Sequence, residues 1–163
     1  MITEPYFEKT RSNKTTALFV LLSLVFFLLS AWRVSVVGFV FFPILCLFLG
    51  VLFLLYVVNY RTLQIEISDR FLRLKFGLVG WKIDFENIES CSLDASPAII
   101  KYGGAGVHFA FVTRIYRVFF NFLEYPRVLI NFKRKKGLVQ GLVFTTKQPD
   151  QVLEIMQNRI NQL

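Results

Sequence analysis

The spacing of polar positions divides the chain near residue 60. From Ala17 to Trp32 no charged residue occurs, a run close to the ~17-residue lower limit for a helix that crosses hydrocarbon. A second uncharged run extends from Val34 to Tyr60, past the ~20 residues that a tilted helix needs. Arg33 is the only charge between them, so the pattern predicts an antiparallel helical hairpin with spans over 16–32 and 34–58. Pro43 lies inside the second run, where a missing backbone donor predicts a bend.

From Thr62 the period falls to two. Leu63, Ile65 and Ile67 alternate with Gln64, Glu66 and Ser68, and Leu72, Leu74 and Phe76 alternate with Arg73 and Lys75. Asp69 and Arg70 form the short link of this predicted β-hairpin. After a turn at 77–80, Trp81, Ile83 and Phe85 alternate with Lys82 and Asp84, and Ile88 to Leu93 reads as a weaker strand. Val128, Ile130 and Phe132 then alternate with Leu129, Asn131 and Lys133, and Leu138 to Thr146 completes another hairpin. The chain closes at helical spacing, with Val152, Leu153, Met156, Ile160 and Leu163 following Pro149 and Asp150.

These elements predict a membrane α-hairpin joined to an α+β domain, a curved antiparallel sheet or small barrel of about seven strands with a C-terminal helix. The division expected is an N-terminal cytoplasmic segment at 1–15, the hairpin at 16–60 and the sheet domain at 61–163. With the hairpin subtracted, about 100 residues remain, enough for one small core. Several segments resemble the bacterial pleckstrin-homology-like domain. They are Arg61 with Leu63, Ile65 and Ile67; Leu72, Leu74, Phe76 and Gly77; Trp81, Ile83, Phe85, Asn87 and Ile88; the glycine-rich stretch Lys101 to His108; Arg127 to Ile130; and Phe144, Thr145, Thr146, Pro149, Val152 and Leu153. Where that family often has Gly-Trp-Gly followed by Arg, this chain has Gly104, Ala105, Gly106 and His108. The resemblance implies a small membrane-hairpin protein of the bacterial inner membrane.

The basic residues set the expected orientation. Lys9, Arg11 and Lys14 precede the first run and Arg61, Arg70 and Arg73 follow the second, against Arg33 alone at the turn. The positive-inside bias then puts both termini of this multi-pass protein in the cytoplasm. No small-residue cleavage pattern separates the two runs, so the first is read as a retained anchor. Neither run holds an Asp, Glu, Lys, Arg or His, which argues against an ion or proton pathway.

Catalytic chemistry finds little purchase. His108 is the only histidine, and the two cysteines, Cys46 and Cys91, lie in separate regions, so neither a metal set nor a disulfide framework is expected. Ser90, Ser92 and Ser96 lack a nucleophile motif. Gly103, Gly104 and Gly106 match no phosphate-loop spacing and read instead as a bulge or a positive-φ loop. The expectation is a non-enzyme with no catalytic, cofactor-binding or metal-binding residues and no cofactor.

Two surface features carry the candidate function. The chain has net charge +8, and from Arg61 onward 15 Lys and Arg stand against 9 Asp and Glu. Four basic residues are consecutive at Lys133, Arg134, Lys135 and Lys136, either a contact for anionic lipid or a solvated turn that protects a hairpin edge. No nucleic-acid motif accompanies them. The second feature is the aromatic crowding of Phe109, Phe111, Tyr116, Phe119, Phe120, Phe122 and Tyr125, which places apolar residues on both alternation faces. Either this strand is covered on both sides or one face docks onto membrane, a second copy or a partner; docking is the expectation. The function expected is an interaction module integral to the lipid bilayer that binds an unknown protein partner or forms a homo-oligomer. The alternative is an accessory or assembly factor of a larger membrane complex.

Overall fold

A computed structural model gives the structure of the chain and describes residues 5–94, 105–112, 115–136 and 138–162. The uncharged runs form helices α1 (Asn13–Val37) and α2 (Phe41–Asn59), each long and apolar enough to cross a membrane. They pair antiparallel: Ser30 Oγ donates to the Pro43 carbonyl at 2.8 Å and Ser23 Oγ to the Gly50 carbonyl at 2.9 Å. Gly50 lets the Phe27 ring approach so closely that a Cβ there would lie 2.7 Å from it, the small-residue contact that apolar helix pairs use. Pro43 falls in the first turn of α2, where its missing N–H breaks no helical bond. The bend that the sequence suggests therefore has no cause there.

A strand precedes the helix pair. The strand β1 (Tyr6–Arg11) pairs antiparallel with β2 (Thr62–Ile67) in a register that runs from Tyr6 opposite Ile67 to Arg11 opposite Thr62. The helix pair is thus an insertion in the connection of a β-hairpin. Ser12 marks the transition, accepting a 3.0 Å bond from the Thr15 N–H as the N-cap of α1. Both outer ends of the helix pair are consequently held at one place by sheet pairing.

The remaining strands are β3 (Phe71–Phe76), β4 (Val79–Asp84), β5 (Ile88–Asp94), β6 (Gly106–Val112), β7 (Ile115–Asn121), β8 (Arg127–Lys136) and β9 (Val139–Thr145), followed by helix α3 (Pro149–Asn161). They form two sheets, ordered β1-β2-β3-β4 and β5-β8-β9-β7-β6. The expected count of about seven antiparallel strands is corrected to nine among the described residues, with β7 parallel to β9. The difference comes from β1, whose inward positions include the polar Glu8 and Thr10, and from the β6–β7 hairpin, whose two-sided aromatic pattern hides its period.

One core joins the sheets. Leu63, Ile65 and Ile67 of β2, Leu72, Leu74 and Phe76 of β3, Val128 and Ile130 of β8, and Leu142 and Phe144 of β9 pack with Val152 and Met156 of α3. The helix lies at the end of the β2–β3 turn, where Arg159 meets Asp69 at 2.6 Å. A second polar tie runs from β1 to the chain after β9. The Glu8 carboxylate accepts hydrogen bonds from the hydroxyls of Thr10, Thr146 and Tyr6 and from the Lys147 N–H. Burial by itself raises the Glu8 carboxyl pKa, but these bonds outweigh it and hold the group below its ordinary value.

Candidate functional site

The helix pair and the sheets meet at one end of the strands. Asn59, the last residue of α2, accepts a 2.8 Å bond from the Leu78 N–H in the β3–β4 turn. Gly77, at φ 49, makes this turn possible, since a Cβ there would fall 2.2 Å from Asn59 Oδ1. Tyr60 packs edge-on against Phe76, with centroids 5.6 Å apart. On the α1 side Thr15 Oγ1 accepts from the Leu123 N–H, and Tyr125 donates to the Arg11 carbonyl at 2.8 Å. Gly106, which opens β6 at φ 94, lies beside Tyr56 and Tyr60, so a positive-φ glycine does occur where the sequence suggests one. Gly103 and Gly104 lie outside the described residues. Leu78 projects from this junction at 95% exposure, beside an apolar groove of about 680 Å³ that Leu52, Leu55 and Val58 help to line.

This junction fixes the polarity of the second sheet. Asn121 and Thr145 end their strands near it, and the β6–β7 and β8–β9 turns lie at the opposite end. The seven residues of β7, at about 3.3 Å each, separate the two ends by about 20 Å. The basic run is therefore at the end remote from the helix pair. Lys133 and Arg134 are exposed there, and Asn87 clasps the Arg134 backbone through two hydrogen bonds of 3.1 and 2.8 Å. The side chains of Lys135 and Lys136 lie outside the described residues.

The aromatic segment separates into interior and surface. Phe120 and Phe122 belong to the main core, with Phe76 stacked on Phe120 at 6.0 Å and edge-on to Phe122 at 5.0 Å. Phe119 points from the other face of β7 and is buried with Val143 against Ala110 and Leu129. Both faces of β7 are therefore covered, which removes Phe119, Phe120 and Phe122 from the surface that the sequence suggests. Tyr125 is half-buried in the bond to Arg11. What remains is β6, the terminal strand of its sheet among the described residues, with Phe109 at 51% and Phe111 at 71% exposure. Phe109 stacks on Tyr116 of β7 at 5.8 Å and an interplanar angle of 5°, which orients the Phe109 ring.

The titratable groups fall into structural settings. His108 lies parallel to the Phe119 ring at 5.1 Å, and burial pushes the Cys91 thiol up, away from nucleophilic readiness. Among the described residues no three His, Cys, Asp or Glu side chains gather where a metal ion could be held. The sequence reading missed the polar cluster of Arg117, Asn131 and Ser90 on the outer face of the second sheet. Its only signal was Arg117, a charged residue inside an otherwise uncharged strand. The chain matches no family model, no curated protein and no solved structure.

Proposed function

We propose that the chain is a non-enzymatic, membrane-anchored interaction module that docks a strand of a partner protein along β6. The observation that carries this reading is the terminal position of β6 together with its two exposed phenylalanines. The strand has no charged residue from Gly106 to Val112, so an added strand with apolar alternate side chains would gain main-chain bonds and cover Phe109 and Phe111. A second copy fits less well. Antiparallel self-pairing of β6 would set the two helix pairs at opposite ends of the joint, because Gly106 starts the strand beside Tyr56.

The anchor reading is supported by the lipid-like surface of the helices, on which Leu28, Phe41 and Leu55 are exposed. Leu78 and its groove extend that surface onto the sheet domain. The pairing of β1 with β2 fits two crossings that begin and end on one side, and the basic residues favour the cytoplasmic side of a bacterial inner membrane. The pleckstrin-homology-like reading has support of the same kind. A four-stranded meander, an antiparallel β5-β8-β9 set and a closing helix are present, with the β6–β7 hairpin, which lies between β5 and β8 in the chain, added at the far edge. The basic tip remains a candidate for anionic lipid only if the domain lies flat on the bilayer, and its remoteness from the helix pair disfavours that role.

Photo-crosslinking in native membranes tests the docking surface. With a photoreactive residue in place of Phe111, a discrete conjugate with another protein is expected. Conjugates with lipid alone, or with a second copy alone, would contradict the proposal.

A further inference from the structure

The outer face of the second sheet carries a buried charge that forms no ion pair among the described residues. Arg117 of β7 is 7% exposed. Its Nη2 reaches Asn131 Oδ1 only at 3.5 Å, and its buried Nε has no hydrogen-bond partner. None of the ion pairs among the described residues involves it. A buried guanidinium without a carboxylate is costly unless something else accepts its hydrogen bonds.

The surroundings are arranged around that group. Gly141 lies opposite Arg117 in the parallel pairing of β7 with β9. A Cβ at Gly141 would lie 2.8 Å from the Ile130 carbonyl and 3.4 Å from Arg117 Nε, so glycine makes the space the guanidinium occupies. Asn131 is oriented by its own bond to Ser90 Oγ at 3.0 Å, which leaves its Oδ1 turned toward Arg117. Around them opens a cavity of about 490 Å³ whose lining includes Arg117, Asn131, Ser90, Gln140 and Lys133. Glu89 is the one carboxylate among the described lining residues.

We propose that this cavity binds a small soluble oxyanion, a phosphate or a carboxylate, with Arg117 as the principal ligand and Lys133 at its rim. The planar guanidinium presents paired donors that match two oxygens of such a group. Ser90 and Gln140 supply neutral polar groups beside it. The cavity lies toward the β6–β7 turn, away from the helix pair, so the anion comes from solution and not from a lipid headgroup. The site is separate from the exposed rings of β6 and does not depend on the docking proposal.

Equilibrium binding of inorganic phosphate and of succinate to the full-length protein in zwitterionic nanodiscs tests it, at constant ionic strength set with chloride. Saturable binding of one anion per chain is expected for at least one probe. Arg117→Gln should weaken it by about tenfold or more, and Lys133→Gln, a change at an exposed position, by about threefold. Glu89→Gln should tighten it, because a like charge leaves the rim; a merely structural Arg117 would not produce that opposite sign. No saturable binding of either probe, or no change in any of the three variants, would overturn the proposal. Displacement of the bound probe by anionic lipid in the nanodisc would overturn the assignment to a soluble anion.

Discussion

The carboxylate of Glu8 accepts a hydrogen bond from the hydroxyl of Thr146, 138 residues further along the chain. Through this contact the strand that enters the helix pair is fastened to the segment that leaves the last strand of the sheet domain. Tyr6–Arg11 is thus part of the folded domain. Glu8→Gln is expected to destabilise the protein by about 2 kcal/mol, because charge-assisted bonds are lost and a buried donor is left facing an amide. Thermal unfolding in detergent measures the difference, and an unchanged midpoint would show that the network contributes nothing.

The same network predicts a dependence on pH. Its carboxyl is held below the ordinary value of 4.5 in the fold, so the unfolded chain takes up the proton first as pH falls. The Glu8 contribution is therefore complete above pH 4.5 and is lost as pH drops through the lower folded value. Tyr6 behaves in the opposite sense: burial, and then the bond to Glu8 and its charge, raise the phenol above its ordinary 10.0. Its contribution is present below pH 10.0 and disappears as pH rises toward the higher folded value. Stability profiles of the wild type and Glu8→Gln should converge in acid and separate near neutrality.

The register of β1 and β2 predicts which soluble fragment folds. Arg11 and Thr62 are directly opposite, so joining them by a two-residue Asn-Gly turn replaces the helix pair with an ordinary β-hairpin connection. That protein is expected to unfold cooperatively, measured by circular dichroism. A fragment that begins at Arg61 lacks β1, exposes the edge of β2 and leaves Thr146 and Lys147 without Glu8. It should be less stable or aggregate, and equal stability of the two fragments would contradict this assignment.

The junction and the basic tip lie at opposite ends of the strands, which predicts different depths. In reconstituted protein a fluorophore at Leu78, beside the end of α2, should be quenched by brominated lipid, whereas one at Arg134 should not. Quenching at Arg134 with none at Leu78 would reverse the orientation and restore the tip as a lipid contact.

Much of the architecture was legible because inward and outward positions differ in polarity. Leu63, Ile65 and Ile67 against Gln64, Glu66 and Ser68 mark β2 unmistakably, and Val152 and Met156 mark the buried face of α3. β1 was not legible, since Glu8 and Thr10 face inward, Thr10 bonds to Glu8, and the other partners of Glu8, Thr146 and Lys147, come from the far end of the chain. Phe119 and Phe120 show the other failure. Adjacent aromatics that bury on opposite faces cancel the alternation, so sequence could say that the segment was crowded but not which rings stay outside. Arg117 was visible as a charge in that segment, but its buried setting depends on Gly141 and Asn131, which approach only through the parallel pairing of β7 with β9 and the β8–β9 hairpin.

Extraction from native membranes in mild detergent, followed by a mass measurement, tests the interaction reading most directly. The wild type is expected to carry a stoichiometric partner protein, and Phe109→Ser combined with Phe111→Ser, at two exposed positions, should release it while leaving the fold intact. A wild type that runs alone or only as multiples of its own chain, or a double variant that keeps the same partner, would contradict the account.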